Sequence, residues 1–150
     1  MIQHEVPEKW VHWALVSDPR TAALFGFRVY PIIAPQGATK SDTGGVLTFA
    51  IFKRQSAQWD THHLGPMPQD ETVLVTVGVD VYAETYAAAR EAATVVTQVL
   101  HGATGSRFGN TLLYSLQTSE QDDIVVPADG KAMPLYAVGQ TFEIRVAQAQ

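Results

Sequence analysis

From Val73 to Val81 a valine stands at every odd position, and from Thr85 onward the alternation gives way to an alanine-rich run, YAAAREAATVV. No other feature constrains the fold so tightly. Strict alternation at period two requires a strand with one face in a core. Fully burying each valine is worth roughly 1.5–3 kcal/mol as an upper bound. The other face carries Leu74, Thr76, Gly78, Asp80 and Tyr82, a mixed set. Thr85 is placed to cap a helix and Gly102 to follow its last turn. Between them Ala89, Ala92, Ala93, Val96, Val99 and Leu100 form an apolar stripe at helical spacing. Small side chains let a helix axis approach a flat surface, and the nearest flat surface is the sheet that holds the valines. A strand, turn and helix folded back on one sheet needs no chemistry at its junction, and YAE offers little.

The flanking segments supply the rest of such a domain. Pro7 suits the first position of a helix, and Trp10, Trp13 and Ala14 then share one face. Large aromatics so spaced are core anchors, with partner binding as the other reading. Asp18 and Pro19 read as N-cap and first residue of a second short helix, TAALF, which Gly26 is placed to end in a left-handed conformation. In FRVYPIIAPQG, Pro31 and Pro35 cannot donate to a ladder, so the segment is an edge strand or an extended arm. Residues 46–55, VLTFAIFKRQ, read as a strand apolar on both faces for most of its length, covered by a helix or by a neighbouring subunit. It pairs antiparallel with 73–82 across a long loop, 56–70, in which SAQWDTHHLGPMPQD has no periodicity. After the alanine helix come a loop, ATGSRFGN, a strand at 111–118 and a second, acidic loop at 119–133. In the final strand, 135–148, Phe142, Ile144 and Val146 alternate with Thr141, Glu143 and Arg145. The expected fold class is α+β, one domain over 1–150. Its mostly antiparallel sheet carries an N-terminal helix pair and one long alanine-rich helix.

Composition narrows the function. Apolar residues make up 46% and charged residues 17% of the 150 residues, a globular balance. The formal charge is −5 and the basic residues are scattered, which argues against a protein that grips nucleic acid by its phosphates. Cysteine is absent, and thiolate metal sites and disulfides with it. MIQHEVPEKW shows no basic region followed by an apolar one, so no signal peptide is expected, and no apolar run reaches membrane-spanning length. His62-His63 has no carboxylate or third histidine at ligand spacing. His4, Glu5 and His12 lack the HExxH spacing. Gly102, Gly105 and Gly109 follow a helix and lack a GK[ST] sequence, the wrong context for a phosphate loop. No G-x-S-x-G is present. Asp80 and Glu84 are explained by a mixed strand face and by a helix start that stabilises negative charge. No catalytic, cofactor or metal residue is expected from these patterns.

Taken in order, the segments resemble the tail-completion, or tail-terminator, family of long-tailed bacteriophages. WVHWALVSDPRTAALFGFRVYP looks like the family's opening helix, its S-x-D-P-like break, its short second helix and its first strand. VLTFAIFKRQSAQWDTHHLGP is similar to its second strand and following loop, VTVGVDVYAETYAAAREAATVVTQVLHG to its strand and alanine-rich helix, and YSLQTSEQDD…PLYAVGQTFEIRVAQ to its closing hairpin. The ordered set carries the likeness, rather than any single motif. The resemblance implies a virion protein that forms a homohexameric ring at the head-proximal end of the tail, after assembly in the host cytoplasm. Such a ring ends polymerisation of the tail tube and offers a docking face to the head-completion or connector protein. DNA passes through without sequence-specific binding, and neither a cofactor, a membrane nor catalysis is implied. An acidic ring also suits DNA that must slide. Two other classes stay open: another ring of the head–tail joint, such as a head-completion or stopper protein, and a small α+β ligand-binding module or enzyme. Long loops on a rigid sheet are where small proteins place recognition. Trp59, His62 and His63 in the first loop and Asp122 and Asp123 in the second are therefore the candidate interface residues. Trp59 is either an interface anchor or a side chain folded back on its own subunit.

Overall fold

Asp18 does what its position predicts: its side chain accepts the Arg20 N–H at 2.9 Å and starts the second helix on Pro19. In this computed structural model, residues 6–35, 37–39, 45–60, 72–125 and 134–148 are described. Two helices, α1 (Val6–Ser17) and α2 (Pro19–Phe25), lead into strand β1 (Val29–Pro31). β2 (Phe49–Asp60) and β3 (Thr72–Ala83) follow, then helix α3 (Tyr86–Leu100) and strands β4 (Gly105–Arg107), β5 (Asn110–Val125) and β6 (Leu135–Gln148). The fold is mixed α+β, with one six-stranded sheet in the order β1-β2-β3-β6-β5-β4. Every pairing is antiparallel except that of β1 with β2.

The alternating valines face the helices. Val75, Val77, Val79 and Val81 are fully buried in one cluster with Val11 and Leu15 of α1, Phe25 of α2, Ala92, Val96 and Leu100 of α3, and Phe142 and Ile144 of β6. Thr85 caps α3 by accepting the Ala88 N–H at 3.1 Å. Ala89, Ala92 and Ala93 are fully buried, and Ala89 and Ala93 meet Ala83 and Val138 of the sheet. Arg54 of β2 pairs with Glu8 in the first turn of α1, tying that helix to the sheet. The even positions of β3 lie on the opposite face. There Phe49 of β2 stacks on Tyr82 of β3 at 4.9 Å, while Ile51 is half-buried and Lys53 exposed, so the helices cover β2 on one side only. Glu84, at the start of the helix, accepts the Val46 N–H at 2.5 Å.

Several boundaries differ from the sequence reading. The strand expected at 46–55 runs from Phe49 to Asp60, so residues 56–60, expected in a loop, are strand, and Trp59 pairs with Val73; the rest of that expected loop, 61–70, lies outside the described residues. The strand expected at 111–118 runs to Val125, so Asp122 and Asp123 sit in a strand and not in a loop. The reason is common to both. Residues 55–58 and 118–125 are exposed, so the backbone ladder continues where no buried face stamps a pattern on the side chains. A shift in register at Arg54/Ser56 and two more in β5 further blur the alternation. The loop expected between α3 and β5 contains the short strand β4. Gly26 has the positive φ expected of it, 57°, but with ψ at −120° it lies outside the left-handed helical region.

Candidate assembly surfaces

The candidate residues fall in three different settings. Trp59 lies on β2 opposite Val73. His62 and His63 lie outside the described residues. Asp122 and Asp123 lie on β5, opposite Val138 and Ala137 of β6, and neighbours on a strand point to opposite faces. Asp122 is engaged within its own subunit. Tyr86 Oη donates to its Oδ2 at 2.9 Å, and Arg90 Nη1 meets its Oδ1 at 3.0 Å. Arg90 Nη2 also reaches Glu120 Oε2 at 3.0 Å. Gln140, buried under α3, donates to the Ala93 carbonyl at 2.8 Å, to Thr97 Oγ1 at 2.7 Å and to Glu120 Oε1 at 3.1 Å. The hydrogen bond to Asp122 holds the Tyr86 hydroxyl proton and pushes its pKa up; the bond to Glu120 raises that of Arg90. Asp123 points to the helix-free side and accepts the Ile124 N–H at 2.7 Å. On that side burial pushes the Asp80 carboxyl above the usual range, Lys53 pulls it down, and Asp123 adds to the rise.

These contacts make the polar seam between α3 and β5 a structural clamp. The sequence carried part of the signal: Tyr86 and Arg90 are one turn apart on α3, off the alanine stripe. Their partners were hidden because 119–125 read as loop. Beside the clamp, Thr97, His101, Gln117, Thr118, Ser119 and Glu120 line a shallow, open recess. It has none of the enclosure that a small-molecule site needs. Among the described residues no group of three or more histidines and carboxylates is placed to hold a metal, and no helix is long and apolar enough to cross a membrane.

The two margins of the sheet are unlike. At the β1 margin Phe27, Ile32 and Ile33 are 87%, 75% and 74% exposed. They are held there by backbone geometry. Ile32 has φ 65°, its N–H is bound by the Phe52 carbonyl at 2.9 Å, and the Ile33 N–H closes on the Pro31 carbonyl at 2.6 Å. That is a γ-turn of the strained hand with a β-branched residue at its centre. At the opposite margin Leu113 and Leu116 of β5 are 42% and 41% exposed. Four inter-strand gaps separate β1 from β5, roughly 19 Å across the sheet. The sequence marks the first patch, since Pro31 and Pro35 deny Ile32 and Ile33 a regular strand, but not its exposure.

This fold is shared with a solved structure. A chain described as "Virion of native gene transfer agent (GTA) particle" superposes with a TM-score of 0.61 at 18% sequence identity, covering 91% of each chain. No protein-family model matches the chain, and no curated protein matches it.

Proposed function

We propose that this is a structural virion protein that forms a ring at the head-proximal end of a phage-like tail. There it ends growth of the tail tube and joins the tail to the head connector, with DNA passing through the hole. The observation that carries the reading is the pair of unlike apolar margins on one sheet, Phe27/Ile32/Ile33 on one side and Leu113/Leu116 on the other. A closed ring of one chain repeats a heterologous contact, which needs two different patches on well-separated parts of the subunit. The fold shared with a chain from a gene transfer agent virion supports a virion setting. The order of segments that resembles the tail-terminator family supports the tail end and a six-fold ring. The role needs no catalytic residue, cofactor or metal. In this reading Trp59, His62, His63 and Asp123 belong to surfaces that meet the tube or the head-side ring, while Asp122 acts from within the clamp.

The test uses purified tail tubes of the cognate particle. Incubated with the protein and imaged, each tube is expected to carry a ring at one end, and added tube subunits no longer lengthen that end. Tubes that stay bare while head connectors bind the protein would instead indicate a ring on the head side of the joint. Tubes that stay bare with no binding to connectors refute both.

A further inference from the structure

A sheet edge is a row of backbone donors and acceptors, and each must go somewhere. The β1 edge is closed except at the Val29 carbonyl. The β2 pairing uses the Arg28 carbonyl and the Ile32 N–H, so Val29 and Pro31 turn their backbone outward. Val29 N–H is already bound to the Phe27 carbonyl at 2.9 Å, proline has no N–H, and the Pro31 carbonyl is taken by Ile33. The β5 edge is covered in two places. β4 pairs with 110–112, and the turn after α3 reaches the next stretch, where Gly102 N–H meets the Ser115 carbonyl at 2.7 Å and Gln117 N–H meets His101 Nδ1 at 3.0 Å. From Ser119 to Val125 no described strand pairs with the outer edge, and all these residues are exposed. The Ile124 N–H is turned out from β6 and, among the described residues, is met by the side chain of its own neighbour, Asp123, at 2.7 Å. Glu120 and Asp122 share its alternation, so their backbone groups face outward too.

We infer that Ser119–Val125 is a strand-addition site for an extended polypeptide segment that carries lysine or arginine among apolar residues. Main-chain hydrogen bonds to the outward N–H and C=O groups of Glu120, Asp122 and Ile124 would fix it. Charge selects the occupant. Among the described residues the edge holds three carboxylates, Glu120, Asp122 and Asp123, against one guanidinium, Arg90. Two copies pairing antiparallel through this edge would set carboxylate against carboxylate, which is unfavourable. A basic strand meets them favourably, and its apolar end lies against Ile124 and Val125, which are 47% and 44% exposed. This site does not depend on the ring, whose proposed contacts lie at Leu113 and Leu116.

The experiment adds short synthetic peptides to the full-length protein and follows amide hydrogen exchange by NMR. The probe is an alternating lysine–valine peptide. The controls are the glutamate–valine peptide and the lysine–valine peptide N-methylated at alternate amides, which keeps the charge but cannot extend a ladder. The lysine–valine peptide is expected to slow exchange at Glu120, Asp122 and Ile124 by about tenfold or more, with neither control doing so. Ile124→Pro, which removes an outward donor and no β6 bond, is expected to abolish the effect while leaving the melting temperature near that of the wild type. The inference is overturned if the lysine–valine peptide protects nothing, or if the N-methylated form protects equally, since charge alone then explains binding. Protection of 119–125 that grows with protein concentration in the absence of peptide also overturns it, because the occupant would then be a second copy.

Discussion

Ile32 combines two unfavourable features in one residue. A β-branched side chain at φ 65° is strained, and its three-quarters exposure leaves an isoleucine in water. Strain that persists is a pointer to use. Ile32→Gly removes both features, since glycine adopts positive φ freely. It is expected to raise subunit stability by about 1 kcal/mol in urea unfolding, and to weaken ring assembly. Full assembly of this variant would show that the side chain makes no contact between subunits. Asp80 gives a second prediction. Its folded pKa is raised by burial, so the native state binds more protons than the unfolded chain above the usual carboxylate range. Its favourable contribution is therefore complete below the unfolded pKa of about 3.9 and is lost as pH rises through the folded value. Asp80→Asn should raise the melting temperature at pH 7, and the gain should shrink toward pH 3. A gain that is equal at both pH values would mean that the charge is not the cause.

Among the elements, α3 and its strand were legible because burial writes a period on the side chains. The five valines, the Thr85 cap and the alanine stripe each sit where the pattern put them. Ala92 and Ala93 are fully buried, so Ala92→Leu or Ala93→Leu forces extra methylenes between helix and sheet. Each is expected to cost roughly 1–3 kcal/mol by denaturant unfolding. Unchanged midpoints in both would mean that α3 can lift off the sheet without loss. The outer halves of β2 and β5 were not legible. Residues 56–58 and 119–125 are exposed, so their strands are written in backbone hydrogen bonds that no side-chain period reports. For the same reason Asp122 looked like a solvated loop residue, and its bonds to Tyr86 and Arg90 could not be read from spacing. Ile32 and Ile33 were half legible: the flanking prolines announced an irregular edge, while the exposure of the two side chains depends on a γ-turn held by Phe52 across the sheet.

At the scale of the whole molecule, the sheet has a direction. One margin presents a strained apolar turn and little open backbone, and the other presents leucines and, further along, an open edge. A chain with unlike margins is suited to head-to-tail contact, and a contact of that kind closes into a ring when its rotation permits. Contacts of like with like would instead stop at two-fold dimers. The most direct measurement uses two variants, Ile32→Asp with Ile33→Asp on one margin and Leu113→Asp with Leu116→Asp on the other, with subunit mass followed by native mass spectrometry where the wild type assembles. Each variant alone is expected to stay monomeric. Mixed in equal amounts, they are expected to form heterodimers and nothing larger, because only one intact pair of margins remains. Rings formed by either variant alone, or a mixture that stays monomeric, would contradict head-to-tail assembly through these margins.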